Sequence, residues 1–315
     1  MNDKLIYRGI EKYDERKHNN SYRYLPGIIT ITFVISLLIG IKLFGGKIIN
    51  KTLLTDDKIV YYIDITDKAS ENKAQVNWQE VAAINEVLND GNEDELVPKI
   101  AEVFLKEEDE GSYAIFTIEE VLDKLKVNDS EEEKVKNFLK EIEESTLYKD
   151  LYKDEAKMVF INNIHDSAIE SYNKFGILPS ITIAQAILES GWGESELATE
   201  HNNLFGIKAD NRWDGAVATI ATKENYDDVI EANFRKYDNI FESIEDHGEF
   251  LYGNSRYREN GLFDGKEYIS QAQALENAGY STAENESGEK IYADKLIDVI
   301  QRYNLMIFDT EVKRE

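Results

Sequence analysis

The chain of 315 residues has no cysteine, three prolines and four histidines. Without cysteine there is no disulfide framework, no thiolate-bound zinc or iron–sulfur centre and no cysteine nucleophile. The histidines (His18, His165, His201 and His247) form no His-Glu-x-x-His sequence and no pair four residues apart, so a histidine-based metal hydrolase is not indicated. Also missing are a Gly-x-Ser-x-Gly nucleophile turn, a Gly-rich phosphate loop and any long internal repeat. No metal and no cofactor are expected. Basic residues are scarce too, 36 Lys+Arg against 62 Asp+Glu, for a net charge of −26. Binders of the phosphate backbone need a basic face, so nucleic acid is not expected as a partner. What is present is enough to fold: 42% hydrophobic and 11% aromatic residues in a length that suits roughly two domains.

The charge is divided. Residues 1–51 carry nine Lys/Arg and four Asp/Glu, and all of the excess acid follows. The change of sign coincides with Tyr24–Ile41, eighteen residues without a charge. That run is just long enough to cross a hydrocarbon core of about 30 Å, and its few hydroxyls can bond back to the helix. A single membrane anchor is expected over 24–44, behind a cytoplasmic tail over 1–23. No small-residue cleavage signature follows, so the anchor should be retained. Flanking cations are nearly balanced, with a mild preference for the N-terminus inside.

Residues 45–75 read as a tether, with a short strand at Ile59–Ile65. An acidic helical domain or stalk follows over 76–150. Trp78, Val81, Ile84, Val87 and Leu88, then Leu96, Ile100, Val103 and Phe104, recur at helical spacing. Thr117-Ile118-Glu119-Glu120 and Ser130-Glu131-Glu132-Glu133 are capping-box sequences, each opening a helix. The acid run Glu107–Glu110 reads as a solvated loop. No catalytic constellation occurs here. The segment is a spacer by default, and protein partners are unknown.

From residue 151 the texture changes. Lys157–Phe175 is amphipathic, with Ile161, Ile164, Ala168 and Tyr172 on one stripe and Gly176 placed to stop it. Pro179-Ser180 then opens a helix through Leu188 that is apolar on nearly every side and should be buried. It ends in Glu189-Ser190-Gly191-Trp192-Gly193. A carboxyl after a buried helix loses hydration and meets the negative end of the helix dipole, and both raise its pKa. A carboxyl kept protonated near neutral pH is what a general acid requires. A surface carboxylate beyond a helix end remains the plainer reading of Glu189 taken alone.

Five motifs then occur in order. Ala184–Gly193 and Asn202-Asn203-Leu204-Phe205-Gly206-Ile207-Lys208 are the first two. Phe234–Tyr237 with Ser243–Asp246, Ala278-Gly279-Tyr280-Ser281-Thr282 and Tyr292–Leu296 follow. Together they resemble the cell-wall endo-β-N-acetylglucosaminidases of glycoside hydrolase family 73, a group that includes bacterial autolysins and flagellar peptidoglycan hydrolases. The resemblance covers about residues 155–306. It implies a mainly α chain whose 151–309 part is a lysozyme-like α+β catalytic domain with a small β-hairpin lobe, followed by a short tail over 310–315. It implies that Glu189 is the catalytic acid.

The family's second carboxylate usually lies on a hairpin, and Val217–Lys223 with Val229–Tyr237 read as its strands. Glu224, 35 residues after Glu189, fits that place, with Glu231, Asp227 and Asp228 as rivals. Tyr280 is a candidate for holding the substrate or stabilising the transition state. Trp192, Asn202, Phe205, Trp213 and Tyr237 are candidates for lining the sugar sites. The departures are Ser281, where the family often has alanine, and an acidic insert at Glu284–Glu289. The implied activity is cleavage of the β-1,4 bond after N-acetylglucosamine in peptidoglycan, outside the membrane, by paired carboxyls. A muramidase or lytic transglycosylase on the same fold, or a non-catalytic scaffold that binds the wall, are the alternatives.

Overall fold

The computed structural model describes residues 53–109, 111–149, 155–224 and 228–314. The expected membrane segment over 24–44, its cytoplasmic tail, the start of the tether and Asp227 lie outside the described residues. Among the described residues no helix is long and apolar enough to cross a membrane.

The first element corrects the sequence reading. Ile59–Ile65 is not a strand but part of helix α1, Asp56–Ser70. Its β-branched and aromatic residues favour a strand locally, but the ends decide otherwise. The Thr55 side chain caps the Lys58 N–H, Asp56 and Asp57 sit in the first turn, and Lys68 sits in the last. Tyr62, Ile63, Thr66 and Ser70 are buried at helical spacing. Much of the expected tether is therefore part of the folded body.

The middle segment is helical as expected, with α2 at Trp78–Leu88 and α3 at Leu96–Val103. Then comes a departure: Glu107–Asp109 of the acid run belong to strand β1, Leu105–Asp109, paired antiparallel with β2, Ser112–Ile115. Lys106, Glu107 and Glu108 stay exposed, so the strand keeps its charges in water. Helix α4, Ile118–Lys124, opens on the expected capping box, Thr117 and Glu120 each bonding the other's backbone. Helix α5, Asp129–Lys149, starts one residue before Ser130. Asn128, not Ser130, caps it, its Oδ1 accepting the Glu131 N–H at 3.1 Å.

The C-terminal half begins with α6, Glu155–Phe175, which ends where Gly176 turns left-handed at φ +76°. Helix α7, Pro179–Ser190, has Pro179 in its first turn. Short helix α8, Glu196–His201, precedes a hairpin of β3, Val217–Glu224, and β4, Asp228–Arg235. The remaining helices are α9, Ile240–Tyr252; α10, Ser255–Glu259; α11, Tyr268–Asn277; α12, Tyr292–Arg302; and α13, Met306–Glu311. Helix α7 is apolar all round because α6, α11, α12 and α13 all pack on it.

The two halves share one hydrophobic core running from Leu54 to Met306. Buried polar contacts fasten them. Trp78 Nε1 donates to Asn304 Oδ1 at 2.7 Å, and the Tyr268 hydroxyl donates to Asp67 Oδ2 at 2.5 Å. Thr310 Oγ1 donates to the Gln75 carbonyl at 3.1 Å, the Ile115 N–H to the Lys313 carbonyl at 3.2 Å, and Arg314 pairs with Glu80. Residues 310–314 are thus not a free tail. The middle segment is joined to the C-terminal half by this shared core and these buried bonds.

Candidate active site

Glu189 occupies the last-but-one position of α7. Beyond it the chain turns sharply: Gly191, Trp192 and Gly193 have φ of +57°, +65° and +78°. A Cβ on Gly193 would lie 2.7 Å from the Phe160 ring, so only glycine fits both the conformation and the contact. Ser190, buried, bonds the Ala186 carbonyl and accepts the Gly193 N–H at 2.7 Å. These bonds fix the helix end and hence the place of the carboxyl.

The Tyr292 hydroxyl donates to Glu189 Oε1 at 2.7 Å, and Gln185 Nε2 donates to that same hydroxyl at 3.1 Å. Part of the Glu189 side chain is open to solvent, yet the protein around its carboxyl raises its pKa. Lost hydration is the main cause, partly offset by the Tyr292 hydrogen bond and the charge of Lys295. Tyr280 stacks on Tyr292 at 5.3 Å and 20° between planes. Burial, then the charge of Glu189, hold the Tyr280 hydroxyl well above the usual phenol range, so it is neutral and able to donate. Behind Tyr280 stands His247, and Phe205 stacks on His247 at 3.8 Å. Burial lowers the His247 pKa to about 3, so its imidazole is neutral.

The other candidate residues divide. Phe205 and Tyr237 are 5% and 4% exposed, so both rings lie buried in the structure. Phe205 backs the Tyr280 column. The Tyr237 hydroxyl donates to Asp246 Oδ2 at 2.6 Å, beside an Arg235 guanidinium that holds both Asp246 oxygens. Asn202 caps α8 in the left-handed conformation and spends its amide on the Tyr237 carbonyl at 3.0 Å. Trp192 packs edge-on against Tyr303 and Phe160. Trp213 is half-buried, lies under the Arg235 guanidinium and bonds the Ala216 carbonyl. It is the member of the set placed beside the hairpin with its ring partly open. Glu224 ends β3 and pairs through its backbone with Asp228 across the hairpin. Its rival Glu231 is exposed on β4.

Gln185, Tyr292 and Lys295 were not singled out individually by sequence reasoning. A signal existed for each. Gln185 lies four residues before Glu189, on the same face of α7, and Tyr292 and Lys295 lie three apart on α12. Among the described residues no cluster could hold a metal ion.

Residues 165–305 match the glucosaminidase family, described as mannosyl-glycoprotein endo-beta-N-acetylglucosaminidase. Over this stretch the chain is similar to the glucosaminidase family. The matched residues include Glu189, Tyr280 and Tyr292 of the candidate site. A relative, the exo-glucosaminidase LytG of Bacillus subtilis, is 40% identical over 159 residues, covering 49% of this chain and 54% of LytG. The peptidoglycan hydrolase FlgJ of Vibrio parahaemolyticus is 35% identical over 153 residues, 47% of each chain. The chain therefore spans about half the length of these relatives. Among solved structures, the catalytic domain of the autolysin Auto from Listeria monocytogenes is 34% identical, with 49% of this chain and 87% of that domain covered and a TM-score of 0.42.

Proposed function

We propose that the protein is a peptidoglycan hydrolase, anchored through residues 24–44, that cleaves the β-1,4 bond after N-acetylglucosamine on the outer side of the membrane. One observation carries the chemical part of this reading: Glu189, at the end of a buried helix, has a raised pKa and a hydroxyl donor on one oxygen. A protonated carboxyl of that kind protonates the glycosidic oxygen as the C1–O bond breaks. The neutral Tyr280 hydroxyl stands beside it to hold the sugar or the developing charge. Glu224 supplies the second carboxylate, and Trp213 offers a face to a sugar ring.

Glu189→Gln removes the transferable proton while keeping the shape. It should abolish release of reducing ends from purified sacculi with an unchanged circular dichroism spectrum. Retained activity would move the acid elsewhere. Mass spectrometry of wild-type products gives the bond: a reducing N-acetylglucosamine end supports the reading, and a reducing or anhydro-muramic end replaces it. An exo mode of attack is a second reading, supported by the activity in the name of LytG. Early products of one or two sugars would favour it, whereas long fragments favour internal cleavage.

A further inference from the structure

Glu189 has two oxygens, and the surrounding protein treats them differently. Oε1 is held by the Tyr292 hydroxyl at 2.7 Å. A tyrosine has one proton to give, and here Gln185 Nε2 already donates to the Tyr292 oxygen at 3.1 Å. The proton of Tyr292 points at Glu189. With the Gln185 amide nitrogen facing the tyrosine, the donors run from Gln185 to Tyr292 to Glu189. Gln185 is buried within α7, and Tyr292 is 4% exposed in the first turn of α12. Neither has room to swing away. The Tyr280 ring lies on the Tyr292 ring and closes that side as well.

We infer that Tyr292, oriented by Gln185, is a positioning residue that reserves Oε1 of Glu189 as an acceptor and leaves Oε2 as the oxygen that delivers the proton. In the step this implies, the Oε2 proton passes to the glycosidic oxygen and the bonding electrons of C1–O leave with that oxygen. The carboxylate that remains keeps its negative charge facing the Tyr292 hydroxyl. That hydrogen bond favours the ionised form. The charged or titratable groups acting on Glu189 are Lys295 and Tyr292 of α12 and Tyr280 after α11; Lys295 and the Tyr292 hydrogen bond favour ionisation. The inference rests on Glu189 being the acid.

The experiment uses the full chain with Tyr292→Phe, which keeps the ring on Tyr280, and with Gln185→Leu, which leaves the tyrosine but removes its orienting donor. Sacculus hydrolysis as a function of pH is measured beside a ¹³C NMR titration of the Glu189 carboxyl. Tyr292→Phe should lower kcat by about 10- to 100-fold with KM little changed. It should also move the high-pH limb of kcat/KM and the Glu189 titration upward together. Gln185→Leu should shift both in the same direction by less and add nothing in the Tyr292→Phe background. If the limb and the titration stay in place in both single variants, the inference is overturned. If either variant unfolds, the other decides. Glu189→Gln keeps the two readings apart: its inactivity leaves the acid assignment standing whatever Tyr292 does, and its retained activity would unseat that assignment itself.

Discussion

Single side chains here carry stability as well as chemistry. Arg235 grips both oxygens of Asp246 at 2.7 and 2.8 Å, and Tyr237 donates to the same carboxylate. Removing one partner strands a guanidinium that is only 11% exposed. Asp246→Ala should cost about 3 kcal/mol in urea unfolding, and Asp246→Asn less, since it keeps part of the hydrogen bonding. At this scale the sequence was partly legible. Glu189 was recognisable from its helix end, but the difference between a buried and a solvent-facing aromatic was not. Phe205 and Trp213 look alike in a list of aromatic residues near a motif. Only the packing of His247 against Phe205 and of Arg235 over Trp213 separates them.

The element that organises the site is α7, and it lacks a cap of its own, since Leu178 contributes no side-chain bond. The cap comes from α13: Asp309 accepts the Ser180 N–H at 2.9 Å and the Ser180 hydroxyl at 2.6 Å. This carboxyl is fully buried, and burial raises its pKa to about 7 in spite of the two serine bonds. An unfolded aspartate titrates near 3.9, at about that value. The folded state therefore holds this proton more tightly than the unfolded chain. The resulting stability is complete below about pH 4 and is lost as pH rises to about 7. Asp309→Asn cannot titrate, so wild type should lose stability relative to it across that interval and then run parallel above it. Urea melts of both proteins at pH 4, 5.5, 7 and 8 read the difference; a constant gap would count against the assignment. The helix itself was readable from Pro179 and its apolar surface. Its cap, from a residue more than a hundred positions away, was not, because no local pattern encodes it.

Across the whole molecule, the segments expected as tether, helical domain and enzyme contribute to one shared hydrophobic core. Local periodicity and capping signals placed α2 to α7, but they have no means of saying which helix covers which. The β-branched run in α1 looks like a strand until its buried stripe meets its neighbours. Trp78, 2% exposed, is one of the residues that bond the halves together. Calorimetry of residues 53–315 should show one cooperative transition, and Trp78→Ala should cost about 3–5 kcal/mol. Two transitions, or a stable and active fragment starting at residue 155, would contradict a shared core.

The return of residues 310–314 to Gln75, Glu80 and Ile115 has a mechanical meaning. It fastens α2 and β2 to the body that bears Glu189. Under the proposed anchoring through residues 24–44, the height of Glu189 above the membrane changes with residues added upstream of Asp56, by at most about 3.6 Å each, and not with changes inside the body.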